Sequence, residues 1–161
     1  MSSWQLAHLA GAIPAGDYQR ISAPETSRWQ VQPIILHGDA LVLIAHDTHH
    51  ALPTLTVKAG MIIEQACHEG LHLQLGITVT FERLLYVRLS DWHTPTVIFH
   101  PMGRITAGEP RAECIALDQL THATHSTITP TDIAYRLQQD LHTPPTRAIY
   151  LGTGDQVKDR S

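Results

Sequence analysis

The segments LPTLTVKAGM (residues 52–61) and EQACHEGLHLQLGI (residues 64–77) decide the fold of this chain. Apolar residues recur at every fourth position from Ile63 to Leu75, and this spacing is typical of one apolar stripe along a helix. Gly76 follows directly, and glycine commonly ends a helix in the left-handed conformation. The two segments therefore predict a turn, a helix over residues 62–75 and a strand that begins near Ile77.

The spacing of these residues resembles the Nudix box, G-x5-E-x7-R-E-U-x-E-E-x-G-U, in which U is an aliphatic residue. Gly76 and Ile77 align with its last two positions. The other matches lie at the turn, the helix start and the core contact, and they are Leu52, Pro53, Gly60, Ala66 and Leu71. The resemblance implies an α/β (α+β) protein with the Nudix fold, in which a mixed β-sheet is sandwiched between helices.

The order of elements around the box agrees with this resemblance. Strands are predicted over residues 29–36, 40–46, 77–89, 96–104 and 113–117, and a second helix over residues 131–141. The chain then divides into an N-terminal lead-in (1–28), a Nudix-like domain (29–142) and a C-terminal tail (143–161).

The acidic positions of the box are not kept. Met61 stands at the first glutamate and Gly70 at the glutamate of the R-E pair, while Leu73 and Gln74 replace the E-E pair. In the family these carboxylates hold magnesium against a pyrophosphate, and magnesium requires oxygen ligands. We therefore do not expect magnesium as a cofactor or conventional pyrophosphohydrolase activity.

The box register also predicts which residues line the cleft. Positions 70, 73 and 74 share one side of the helix, and Glu82 on the next strand either lines the pocket or forms an ion pair. Apolar lining suits a less charged small molecule than a nucleoside diphosphate. The predicted cleft-lining residues are Leu55, Met61, Gly70, Leu73, Gln74 and Glu82.

The box helix carries a second motif, His68-Glu69-Gly70-Leu71-His72, which matches the zinc-binding pattern H-E-x-x-H. Histidines at i and i+4 share a helix face and can bind one metal ion. In the box register, however, His68 and His72 lie about 100° away from the groove-facing positions. They are either surface histidines that match by chance or a zinc or nickel site outside the groove.

Five further histidines are candidates for catalysis among the twelve in the chain. They can act as general acid and base, or three of them can bind a transition metal. The alternative is that these histidines share no role. The candidates are His49 and His50 before the box, His100 at the end of an apolar strand, and His122 and His125 before the second helix.

Composition excludes several classes of function. The net charge is −4 and the chain has only two lysines, so it lacks the basic surface that nucleic acid requires. No apolar run is long enough to span a membrane. The N-terminus does not resemble a signal peptide, and two cysteines do not form a disulfide framework. These features predict a cytoplasmic protein.

The sequence leaves three alternative functions open. The first is an atypical Nudix-fold enzyme that acts on a small molecule through histidine acid–base chemistry or a histidine-bound transition metal. The second is a non-catalytic Nudix-like protein that binds a ligand or partner. The third is a hydrolase of nucleoside diphosphate derivatives with displaced metal ligands. A homodimer remains open as the assembly.

Overall fold

The computed structural model describes residues 28–90, 96–121 and 128–151. The strands are β1 (Arg28–Val31), β2 (Ile34–His37), β3 (Ala40–Ala45), β4 (His50–Ala51), β5 (Leu55–Val57), β6 (Thr78–Ser90), β7 (Thr96–Ala107), β8 (Glu113–Ala116), β9 (Ile128–Thr129) and β10 (Ile149–Tyr150). The helices are α1 (Ile63–Leu75), α2 (Thr131–His142) and a 3-10 helix (Leu117–Thr121). None of these helices is long and apolar enough to cross a membrane.

A mixed sheet forms the centre of the protein, as predicted. Its strand order is β10-β6-β7-β2-β3-β4-β9. β6 and β7 form a long antiparallel pair, β2 runs parallel to β7, and β3 runs antiparallel to β2. β1 pairs with β7 and β5, and β8 pairs with β3.

The strand predicted over residues 29–36 is two strands, β1 and β2, which both run along β7. The chain leaves the ladder at Gln32 and Pro33, because proline has no backbone N–H to donate. The backbone N–H of Gln32 still donates to Phe99, at 2.9 Å. The interruption creates the site at which the Gln32 backbone carbonyl accepts a hydrogen bond from His100.

Two hydrophobic cores lie on opposite faces of the sheet, one under each helix. Along β3, Leu41 and Leu43 belong to the core under α2, whereas Val42 between them belongs to the core under α1. This alternation follows from the two-residue period of a strand. It confirms the predicted arrangement of a sheet between helices.

Helix α1 begins and ends within one residue of the prediction. Gly76 has a φ of 70°, and its N–H donates to the carbonyl of His72. Arg111 satisfies two further carbonyls at this end, because its backbone N–H donates to Leu75 and its Nη2 donates to Leu73. The β7–β8 connection is thereby attached to the end of the box helix.

The domain extends beyond residue 142, where the sequence placed its boundary. β10 pairs in parallel with β6, and the flanking Ala148 and Leu151 are buried. The segment after α2 is thus part of the sheet as far as Leu151. Most of the predicted lead-in lies outside the described residues, and Arg28 belongs to β1.

A polar network is buried between the sheet and α2. Nη2 of Arg88 donates to both carboxylate oxygens of Asp132, at 2.9 and 3.0 Å, and its Nε donates to Nε2 of His100 at 2.8 Å. The hydroxyl of Tyr86 donates to Asp140 on the same helix. Burial, and then this hydrogen bond, raise the pKa of Tyr86. The network attaches α2 to the sheet at both its first and its last turns.

Asp132→Ala is expected to lower the free energy of unfolding by about 3 kcal/mol, because it leaves the buried Arg88 guanidinium without its carboxylate. Glu82→Ala is the matched control. Its ion pair with Arg104 is about half exposed, and such pairs contribute less than about 1 kcal/mol. Urea denaturation measures both losses, and equal losses would contradict the role assigned to the network.

Candidate functional site

The space above Gly70 on the box helix is filled by Leu55. A Cβ atom at position 70 would lie only 2.6 Å from Cδ2 of Leu55. Leu55 is 2% exposed and belongs to the core under α1. Leu55 was predicted to line the cleft, and the structure places it in the core, because the strand approaches the helix closely at Gly70.

The next groove-facing position, Gln74, contacts the strand connection instead of a metal. Its Nε2 donates to the backbone carbonyl of Thr54 at 3.3 Å. Nε2 of Gln32 donates to the hydroxyl of the same threonine, also at 3.3 Å. Two neutral amides therefore meet at Thr54, at the place where the resemblance implies acidic side chains.

The remaining predicted cleft residues on this side do not enclose a cleft. Leu73 is 80% exposed. Met61 is partly buried and packs against the core under α1. Leu73 therefore projects into solvent, whereas Met61 contacts the core.

The residues present do not fit the magnesium that the Nudix box implies. The two acids of α1 are engaged with other residues of the same helix. Glu69 accepts a hydrogen bond from Gln65, and Glu64 lies 3.7 Å from His68. Within the described ranges, no three histidine, cysteine, aspartate or glutamate residues are grouped so that they could hold a metal ion. This side of the helix offers only amide and carbonyl groups.

The H-E-x-x-H motif gives two exposed histidines on α1. His68 faces Glu64 one turn earlier, and His72 lies in the last turn. No third ligand joins them from the part of the chain that the structure describes. A zinc or nickel site at His68 and His72 therefore stays a prediction.

The histidines before the box make two separate contacts. Nε2 of His50 lies 2.5 Å from Oε2 of Glu113 and links β4 to β8. Nδ1 of His50 is buried and has no hydrogen-bond partner among the described residues. The ring of His49 instead stacks on His46, with centroids 4.7 Å apart. The two neighbours in sequence thus share no site.

His100, which was predicted as a candidate for catalysis, lies inside the protein and belongs to the Arg88 network. It is fully buried, and its Nε2 accepts a hydrogen bond from Arg88. Because arginine can only donate, the proton of the imidazole lies on Nδ1, which donates to the carbonyl of Gln32 at 3.0 Å. Burial, and then the charge of Arg88, lower its pKa to about 3. His100 is a neutral structural residue. His122 and His125 lie outside the described residues.

A cavity of about 670 Å³ lies on the opposite face of the sheet from α1. It is bounded by the β2–β3 turn, by β6 and β7, and by the C-terminal end of α2. Glu82 lines this cavity, and its Oε1 accepts a hydrogen bond from Nε of Arg104 at 3.1 Å. Glu82 thus lines a cavity, but not the groove of the box helix. The other polar lining residues are Asp39, Gln138 and His142.

No family model and no curated protein matches the chain. Solved structures do match it. A Nudix hydrolase from Nitrosomonas europaea is 12% identical with a TM-score of 0.63, and the match covers 81% of this chain and 80% of that one. An ADP-ribose pyrophosphatase from Streptococcus suis is 12% identical with a TM-score of 0.59, over 78% and 99% of the two chains.

A larger protein from Sinorhizobium meliloti is 19% identical with a TM-score of 0.56, over 72% of this chain. The chain spans only 40% of that protein's length. These likenesses show that the chain has the Nudix fold. They confirm the resemblance on which the box register rests.

The effect of Gly70→Ala on the free energy of unfolding is expected to change sign with the residue at position 55. In the natural chain it displaces the buried Leu55, so we expect a loss of about 1 kcal/mol although alanine favours a helix. In a Leu55→Ala background the same change fills space, and we expect a gain of about 0.5–1 kcal/mol. Urea denaturation of the double-mutant cycle measures the reversal. The same sign in both backgrounds would contradict the contact.

His100→Gln is expected to flatten the pH dependence of stability, while glutamine still offers Arg88 an acceptor. The folded chain keeps His100 neutral, whereas the unfolded chain takes up a proton below the ordinary pKa of 6.5. Stability from this residue is therefore present above pH 6.5 and lost on acidification towards pH 3, by about 1.4 kcal/mol per pH unit. Urea denaturation at pH values of about 7, 6 and 5 tests this. An unchanged slope in the variant would contradict it.

Proposed function

We propose that this chain is a Nudix-fold ligand-binding protein that does not hydrolyse diphosphates with magnesium. The single observation that carries the proposal is the packing of Leu55 over Gly70. Fold and function are separable, so a kept scaffold does not require kept chemistry.

The packing opposes the conventional reaction in two ways. Pyrophosphate hydrolysis needs a cation to stabilise the charge that develops on the phosphates, and magnesium needs oxygen ligands. Gly70 supplies no ligand, and the apolar Leu55 occupies the space where a side chain at position 70 would begin. Restoring a glutamate at position 70 alone would therefore clash with the core.

The sizes of the side chains at positions 55 and 70 are also reversed relative to the Nudix box. The box has glycine at position 55 and glutamate at position 70, whereas this chain has leucine and glycine. Leu55 fills the space that a smaller residue at position 70 leaves free. The exchange supports the proposal that this part of the groove is packed and does not hold a metal ion.

The second candidate is the histidine-based enzyme. It is favoured by the contact of His50 with Glu113, because a carboxylate that orients an imidazole is a common arrangement around a general base. The remaining ring nitrogen of His50 is buried, however, and His100 is held inside the sheet. The geometry therefore favours binding over this chemistry, and a histidine-bound transition metal remains part of this second candidate.

The third candidate is a diphosphate hydrolase with displaced metal ligands. It is favoured by the match to an ADP-ribose pyrophosphatase, although that match concerns the fold and not the site residues. The same assay that tests our first proposal decides between the two.

The wild-type protein is expected not to hydrolyse ADP-ribose to AMP and ribose 5-phosphate with Mg²⁺ or Mn²⁺. Added alkaline phosphatase releases phosphate from both products, and that phosphate is measured. The combined variant Leu55→Gly, Gly70→Glu, Leu73→Glu and Gln74→Glu restores box acids and the space for them. We expect it to bind Mn²⁺ with a Kd of roughly millimolar or tighter, measured by electron paramagnetic resonance. The matched control carries glutamine instead of glutamate at positions 70, 73 and 74, and it is expected not to bind.

Circular dichroism establishes that both variants fold. Metal-dependent turnover by the wild-type protein would overturn the proposal and support the third candidate. Turnover without added metal that is lost in His50→Ala would support the second candidate.

A further inference from the structure

We infer that the cavity at the C-terminal end of α2 binds an amphipathic organic cation, an amine with an apolar body. The inference deepens the proposed function and rests on it, since it names the place and the chemical class of the ligand. It depends on the size of the cavity, its apolar floor and the balance of charges around it.

The size and floor of the cavity suit a small organic molecule. Its volume of about 670 Å³ lies inside the range of about 300–1,000 Å³ that is usual for ligand sites. Leu36 and Met102 form part of its wall, and they are only 2% and 4% exposed. Leu117 and Leu141 add apolar surface that is partly buried. A ligand with an apolar body would bury its surface against these side chains.

The charges around the cavity favour a cation. Glu82 and Arg104 form an ion pair with each other, so their charges largely cancel. Asp39 forms no ion pair with any residue of the described ranges, and its carboxylate is left as the unbalanced charge. The C-terminal end of α2 adds the partial negative charge of the helix dipole. His142 lies in that last turn.

The hydrogen-bonding groups that line the cavity also favour a cation. Nε2 of Gln138 donates to the carbonyl of Leu117, which leaves the amide oxygen of Gln138 as an acceptor. The backbone N–H of Leu117 donates to the carbonyl of Asp39 at 2.9 Å and holds the β2–β3 turn at the rim. An ammonium group has three donors and no acceptor. It matches the amide oxygen of Gln138 and the carboxylate of Asp39, whereas a phosphate or carboxylate would be repelled by Asp39.

The cavity is separate from the groove of the box helix. Leu36 and Met102 belong to the core under α2, and Leu55 belongs to the core under α1. The two sites therefore lie on opposite faces of the sheet. Binding at one can be measured independently of chemistry at the other.

The test uses 2-phenylethylammonium as the probe and 3-phenylpropanoate as its anionic counterpart. Backbone amide chemical shifts are recorded for the full chain during titration with each probe. We expect the ammonium probe to shift amides around Asp39, Met102 and Leu141, and the carboxylate probe to leave them unchanged. Shifts centred on Thr54 and Gln74, or equal responses to both probes, would overturn the inference.

Asp39→Asn removes the unbalanced charge at nearly constant size. We expect it to weaken the Kd of the ammonium probe by about tenfold, measured by calorimetry. Glu69→Gln is the matched control, since it removes one negative charge from the exposed face of α1, and it is expected to leave the Kd unchanged. Equal weakening in both variants would show attraction to net charge only and would overturn the site.

The hydrolysis assay separates failure of this inference from failure of the proposed function. If the wild-type protein lacks metal-dependent turnover and the ammonium probe does not bind up to its solubility limit, the inference fails and the proposed function stands. If turnover is found, the proposed function fails whatever the probe does.

Discussion

The contact between Leu55 and Gly70 is the constraint that fixes how β5 packs on the box helix. Glycine in the middle of a helix is unfavourable by about 0.5–1 kcal/mol relative to alanine, so its presence there calls for a compensating contact. Here the compensation is the close approach of β5, which lets a leucine enter the core under α1. On the side of the helix that holds metal in the Nudix box, position 70 is thereby packed against Leu55, whereas Leu73 stays exposed.

The buried polar groups described in the sheet attach α2 to it. Arg88 is held by Asp132 and His100, and this network attaches the first turn of α2 to the sheet. Tyr86 and Asp140 do the same at the last turn. Because α2 is fixed at both ends, its C-terminal turn is held against the sheet and forms one wall of the cavity.

Local features of the fold were predictable from the sequence. The apolar period predicted α1 to within one residue, and Gly76 predicted its end, because both depend on neighbours within a few positions. The interruption at Gln32 and the addition of β10 were missed. Both depend on pairing with distant strands, for which a short segment carries little signal.

The sequence by itself indicated the Nudix fold, since the spacing of residues along the chain is a property of the chain alone. Only the tertiary structure decided that Leu55 packs over Gly70, that His100 is buried and neutral, and that Glu82 faces a cavity with Asp39 and Arg104. The reason is physical. These properties depend on contacts between residues far apart in sequence, and burial and charge balance exist only once the elements have packed.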